Sequence, residues 1–191
     1  VSLYLGRRPR IMLFFSVFSS NKARRISPYF VPRILGNMAA ALIAIRYGFR
    51  GPSHSVSTAC STGLHSIGDA YNFIKNNSAD VMIAGGTDAC INPLAISGFS
   101  QIRALSKKYK DSPTKASRPF DKDRDGFVMS EGAAVLVLEE YEHALERNAN
   151  ILCEVVGEQH SSYFFFGLGI KKYLPRIYFP LNEIFFSKAL F

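Results

Sequence analysis

Cys60 is the residue whose setting could do the most chemistry. It lies in V-S-T-A-C-S-T-G, Val56 to Gly63, between a short β-branched stretch and a helical one. A cysteine at a sharp strand-to-helix turn presents its sulfur outward, and the unpaired N–H groups of the first helical turn point toward it. Those groups favour thiolate over thiol and can hold the oxyanion formed when the sulfur attacks a carbonyl. Ala59, Ser61, Thr62 and Gly63 are small enough to let a substrate approach. An arbitrary cysteine is more often a buried structural one. The small, polar elbow reverses that preference here.

The other reactive side chains are less well placed. His54 lies six residues before Cys60, at the far end of the expected strand, and His65 is more than a turn into the helix. His143 falls on a charged, solvated helix face and His160 begins a stretch of different composition. A self-contained Cys–His pair is therefore not expected. D-K-D-R-D-G, Asp121 to Gly126, matches positions one, three, five and six of an EF-hand loop. The twelfth position is Gly132, with Glu131 one place early, and a strand pattern follows where the motif needs a helix. A salt-bridged turn with Arg118 and Arg124 is the better reading. The three cysteines, Cys60, Cys90 and Cys153, include no C-x-x-C and no Cys/His quartet, so neither a disulfide scaffold nor a zinc site is expected. Reduced thiols fit an intracellular compartment.

The elements that would position Cys60 can be read from periodicity. Val31, Ile34, Leu35, Met38, Leu42 and Ile45 predict one helix over 31–47, with Pro32 in its first turn. Ser53 to Ala59 reads as a short strand and Ser61 to Asn76 as a helix with Leu64, Ile67, Gly68, Tyr71 and Ile74 on one stripe. Asp80 to Ala84, ended by Gly85-Gly86, has the form of a strand buried on both faces of a parallel sheet, which makes a β-α-β unit with Cys60 at its first hinge. Ala133 to Leu138 is a second such run. Glu139 to Asn148 reads as a polar helix with Tyr141, Ala144 and Leu145 inward, and Ile151 to Val156 as a last strand. The class is α/β.

At 191 residues, 48% hydrophobic and 20% charged, the chain is sized for one folded core, and disorder or a fibrous architecture is excluded. The net charge of +8 sits at the ends: the first 50 residues hold nine Lys/Arg and no acid, whereas the stretch from Gly51 to Glu158 is net acidic. That distribution argues against nucleic acid. The basic run Arg103 to Lys110 is a solvated loop or a surface for an acidic partner protein; Tyr109 alone is too little aromatic interleaving for single-stranded nucleic acid. The longest apolar runs, 11–18 and 163–170, fall short of the ~20 residues that cross a bilayer, so no transmembrane helix is expected. Residues 1–25 form an atypical basic and apolar segment that reads as a transit or signal segment, or as a truncated or wrongly joined sequence. Residues 158–191 form a Phe-rich tail (Phe164, Phe165, Phe166, Phe179, Phe185, Phe186, Phe191) with no helical or strand period, and no element is assigned there.

The stretch 26–157 resembles the β-ketoacyl-acyl-carrier-protein synthases, condensing enzymes of fatty-acid synthesis, and most of all their type II organellar and bacterial members. The matching segments are I-S-P-Y-F-V-P from Ile26, Y-G-F-R-G-P-S from Tyr47, V-S-T-A-C-S-T-G from Val56, A-D-V-M-I-A-G-G-T-D from Ala79, R-A-L-S from Arg103, S-R-P-F-D-K-D-R-D-G-F-V from Ser117 and E-G-A-A-V-L-V-L-E-E-Y-E-H-A from Glu131. The resemblance implies a thiolase-like layered fold of which this chain holds part of the N-terminal half, in an enzyme that is usually a homodimer. It implies that Cys60 is the acyl-accepting nucleophile and that Arg103 meets the acidic helix of an acyl carrier protein. Phosphopantetheine would arrive on that carrier, so no cofactor or metal of the chain's own is expected. The family's second-half histidines and lysine and its Gly/Phe-rich loop have no match here, so this chain alone is not expected to condense. A mitochondrial location is expected, with the cytoplasm as the alternative. A polyketide synthase or other thiolase-fold enzyme, or a non-catalytic carrier-binding or dimerising protein of the same fold, are the competing readings.

Overall fold

The computed structural model describes residues 26–159 and the backbone of residues 167–171. They fall into two compact units, one of 36–87 with 133–159 and 167–171, the other of 26–35 with 88–132. The transit-like segment 1–25 and the phenylalanines of the tail lie outside the described residues.

The helix predicted over 31–47 is two helices, α1 (Phe30–Ile34) and α2 (Met38–Tyr47). Leu35 takes an extended conformation with ψ 126°, so the apolar spacing runs on through Gly36-Asn37 while the backbone does not. The boundary between the two units falls at the same point. α2 ends where Gly48, at φ 69°, supplies the left-handed residue that closes a helix.

A 3₁₀ turn (Ala59–Ser61) leads into α3 (Thr62–Lys75), followed by β1 (Val81–Ala89). The strand expected over 53–59 is not formed. A strand requires a ladder partner, and among the described residues none runs beside this stretch. The predicted parallel β-α-β unit is therefore absent among the described residues, and β1 pairs instead with β2 (Glu131–Glu139). The Glu140 N–H donates to the Asp80 carbonyl at 2.9 Å, while Gly85 lies against Ala134 and Val135. The start of β1 is thus beside the end of β2, and the two strands run in opposite directions.

The core of the first unit is Ala70 of α3, Ala84 of β1 and Leu138 of β2, flanked by Ile67, Tyr71, Ile74, Met82 and Val155. The expectation that β2 is buried on both faces fails: Val137 is 67% and Val135 48% exposed, against 8% for Leu138. Next comes α5 (Tyr141–Glu146), on which Ala144 alone of the three expected inward residues is buried. His143 is exposed, as expected, and bonds Glu139 through Nδ1 at 2.5 Å, and Arg147 adds bonds of 2.6 and 2.5 Å to the same carboxylate. The Arg147 guanidinium, with help from His143, holds the Glu139 carboxyl down at about 2. The last strand expected over 151–156 forms as β3 (Glu154–Gln159), and it pairs antiparallel with β4 (Gly167–Lys171), which lies in the tail where the sequence pattern indicated no element.

The second unit contains α1, a helix not anticipated from periodicity, α4 (Pro93–Gln101), and a 3₁₀ turn at Pro113–Lys115. Its start was legible, since Asn92 caps the Ala95 N–H at 3.0 Å and Pro93 takes the first helical position.

Candidate active site

Cys60 is exposed, in the middle of the 3₁₀ turn and two residues before α3. The elbow is sharp because Ala59 sits at φ 51°, a left-handed conformation that is strained for a residue with a Cβ. Threonines hold it. The Thr58 N–H donates to Thr62 Oγ1 at 2.9 Å, that hydroxyl donates to the Ala59 carbonyl at 2.7 Å, and the Ser61 N–H donates to the Thr58 carbonyl at 3.1 Å. The expected elbow and the helix that follows are therefore present, although the strand that should enter it is not.

The first turn of α3 is fastened to β1 by small residues. Thr62, Ser66 and Ala70, spaced by four, form the buried line of the helix. Ser66 Oγ accepts from the Gly85 N–H at 3.1 Å and lies 2.6 Å from the Gly85 carbonyl and 2.8 Å from that of Gly63, so one hydroxyl satisfies backbone on both elements. Gly63 and Gly86 meet backbone to backbone: a Cβ on Gly86 would stand 3.2 Å from the Gly63 Cα. The large apolar stripe read from the sequence packs at the edge of this line, and the small residues carry the close approach.

Two histidines attach to these elements. His54 Nε2 bonds Asp69 Oδ2 at 3.0 Å and its ring meets the edge of Phe73, which lays the 53–58 stretch along the outer part of α3. His65 Nδ1 bonds Thr58 Oγ1 at 2.7 Å, reaching back from the helix to the residue before Ala59. His65 is more than a turn into the helix, and from the sequence it reads as remote from Cys60. Its spacing of seven from Thr58, across a turn, was the signal that could have found it.

The remaining thiols are half-buried. Burial, then the negative charge of Asp88, pushes the Cys90 thiol up, and burial does the same for Cys153. Arg103 is exposed in the second unit, just past α4, at φ 57°, with its N–H donating to the Ser100 carbonyl at 3.0 Å. The aspartates of D-K-D-R-D-G do not converge. Asp121 accepts from the Asp123 N–H at 2.8 Å and pairs with Arg118 at 3.5 Å, while Arg124 reaches the Asp121 carbonyl oxygen rather than a carboxylate. Asp125 turns the other way, accepting from Ser106 Oγ at 2.6 Å and from the Lys107 and Lys108 N–H groups at 2.7 Å each. Among the described residues no cluster of three or more His, Cys, Asp or Glu could hold a metal ion, and no helix is long and apolar enough to cross a membrane.

The family model described as beta-ketoacyl synthase, N-terminal domain, matches residues 15–144, which include the elbow, α3, β1, β2 and the aspartate loop. The chain belongs to the β-ketoacyl synthase family. It is 57% identical over 136 residues to the mitochondrial 3-oxoacyl-[acyl-carrier-protein] synthase of Arabidopsis thaliana, covering 71% of this chain and 30% of that protein. It is 58% identical over 139 residues to a putative mitochondrial counterpart from Schizosaccharomyces pombe, covering 72% and 33%. It is also 57% identical over 134 residues to 3-oxoacyl-[acyl-carrier-protein] synthase 2 of Rhizobium meliloti, covering 70% and 32%. The chain thus spans about a third of the length of these relatives. Among solved structures it is similar to a β-ketoacyl synthase from Burkholderia phymatum STM815, with a TM-score of 0.71 and 34% identity over 82% of this chain and 38% of that one. It is also similar to a ketosynthase described as bound to a hexaketide and in complex with its type II polyketide acyl-carrier protein, with a TM-score of 0.69 and 35% identity over 74% and 35%. The fold of this β-ketoacyl synthase chain is accordingly α/β and thiolase-like, as part of an N-terminal domain.

Proposed function

We propose that this chain is the nucleophile-bearing part of a 3-oxoacyl-acyl-carrier-protein synthase of fatty-acid biosynthesis, with Cys60 as the acyl acceptor. The exposed Cys60 at a tight elbow two residues before a 14-residue helix is the observation that carries it. Cys60 Sγ attacks the thioester carbonyl of an acyl group on a carrier's phosphopantetheine arm. The carbonyl oxygen gathers negative charge that backbone N–H groups at the helix start can stabilise. The bond to the pantetheine sulfur breaks, its thiol leaves with the proton, and the acyl group stays on Cys60. Malonyl-carrier then loses carbon dioxide, and the resulting carbanion attacks the acyl-Cys60 carbonyl. Cys60 is expelled as thiolate and the chain is longer by two carbons.

The carrier is the partner of this reading, Arg103 stands on the surface that meets it, and the complete enzyme is a homodimer. The names of the Arabidopsis and fission-yeast relatives favour a mitochondrial setting. A polyketide role is the second reading, favoured by the ketosynthase bound to a hexaketide; the higher identity to fatty-acid synthases, 57% against 35%, ranks it lower. Trapping with a thiol-directed acyl analogue tests the proposal. Labelling at Cys60, abolished by Cys60→Ser, is the expected result. An unlabelled Cys60 in folded chain would leave the non-catalytic, carrier-binding reading.

A further inference from the structure

We propose that His65 is a positioning residue for Cys60, acting through the Thr58 hydroxyl; the inference rests on the reading of Cys60 as nucleophile. Ala59 must be kept at φ 51°, and the bonds that hold it among Thr58, Ala59, Ser61 and Thr62 all lie within five residues. Of these bonds only those to Thr62 reach α3, and they reach its first residue alone, a single point about which the turn can still rotate. The 2.7 Å bond from His65 Nδ1 to Thr58 Oγ1 ties the entry of the turn to the helix it opens into, across seven residues. Cys60 lies inside the ring so closed. Helix α3 is in turn anchored to β1 through Ser66, the next residue along, whose Oγ holds Gly85. The strained elbow is thereby referred to the β1 backbone, and Cys60 with it.

The atom matters as much as the residue. Nδ1 is the ring nitrogen nearer the backbone, and the terminal amide of asparagine stands at the same number of bonds from Cα. That of glutamine matches Nε2 instead. The bond is exposed, so its loss costs one side-chain hydrogen bond, about 1 kcal/mol, and leaves the fold standing.

The test is the rate at which iodoacetamide and an acyl-transfer analogue modify Cys60 in the full chain, with Cys90 and Cys153 as internal references. His65→Phe and His65→Gln are expected to slow Cys60 by about five- to tenfold, which corresponds to ~1–1.4 kcal/mol, with the reference thiols unchanged. His65→Asn should stay within about twofold of wild type. Thr58→Val should match His65→Phe, Thr58→Ser should match wild type, and the double variant should be no slower than either single one. Wild-type rates in both His65→Phe and His65→Gln, no recovery in His65→Asn, or additive losses in the double variant would overturn the positioning role. Should the fold not tolerate phenylalanine, seen as faster labelling of Cys90 and Cys153, the Thr58→Val and Thr58→Ser pair decides. A wild-type Cys60 that is not acylated at all defeats the nucleophile reading instead, which separates the two failures.

Discussion

The elbow around Cys60 and the loop around Asp125 each hold an irregular backbone in place, and they do so with different chemistry. The elbow uses hydroxyls: Thr62 on Thr58 and Ala59, Ser66 on Gly85, and Thr58 with His65. The loop uses a carboxylate that accepts from one hydroxyl and two successive amides, next to the close approach of Gly126, at φ 144°, to the 104–106 backbone. Charge-assisted bonds are about twice as strong as neutral ones, which suits an exposed loop carrying Lys107, Lys108 and Lys110 that water would otherwise compete for. The elbow carries no carboxylate among these bonds. Hydroxyl bonds and close-packed small residues hold it instead.

Four measurements would break or sharpen this contrast. The largest effect concerns what the elbow can do by itself. The purified 191-residue chain, given malonyl-carrier and an acyl primer, should yield no β-ketoacyl product. The decarboxylating half-reaction needs donors for a developing enolate, and losing even one such donor costs ~10²–10³ in rate. Detectable product would show that the elbow suffices for both half-reactions.

Ser66→Ala comes next. Removing the hydroxyl leaves the buried Gly85 N–H without its acceptor, and the expected loss is ~1–3 kcal/mol in a urea unfolding series. An unchanged midpoint would mean that the small-residue line, and not this bond, fastens α3 to β1.

The loop should answer to acid through Asp125. The hydrogen bond from Ser106, then the Lys108 amide, holds the Asp125 carboxyl at about 2, below its ordinary 3.8. A depressed carboxyl contributes stability that is present above the ordinary value and is lost as pH falls through the folded one. An NMR titration of the Asp125 carboxyl carbon should therefore show a midpoint near 2. A midpoint in the ordinary range would dissolve the contrast.

Arg103→Glu is the smallest. An exposed partner charge acts mainly through steering, so carrier binding should weaken by no more than about fivefold at low salt, the effect shrinking as salt is added. Unchanged low-salt affinity would remove Arg103 from the partner surface.

What the sequence determined by itself was local. The elbow at Cys60, the helix after it and the runs of β1 and β2 follow from residue types within a few positions of one another, and the V-S-T-A-C-S-T-G, S-R-P-F-D and E-G-A-A-V-L segments carried the family. The asparagine–proline start of α4 is equally local, a signal that apolar spacing does not report. Tertiary structure decided what depends on a second segment. Whether 53–59 counts as a strand depends on a ladder partner, and whether β2 is buried depends on what covers Val135 and Val137; periodicity reports neither. The helix predicted over 31–47 broke because a continuous apolar stripe fits two short helices as well as one long helix, and only the backbone at Leu35 distinguishes them. The fastening of α3 was hidden for a related reason. Hydrophobic pattern weights large side chains, whereas close backbone approach is made by residues with little side chain at all: Gly63, Ser66, Gly85 and Gly86, brought together from two elements by the fold.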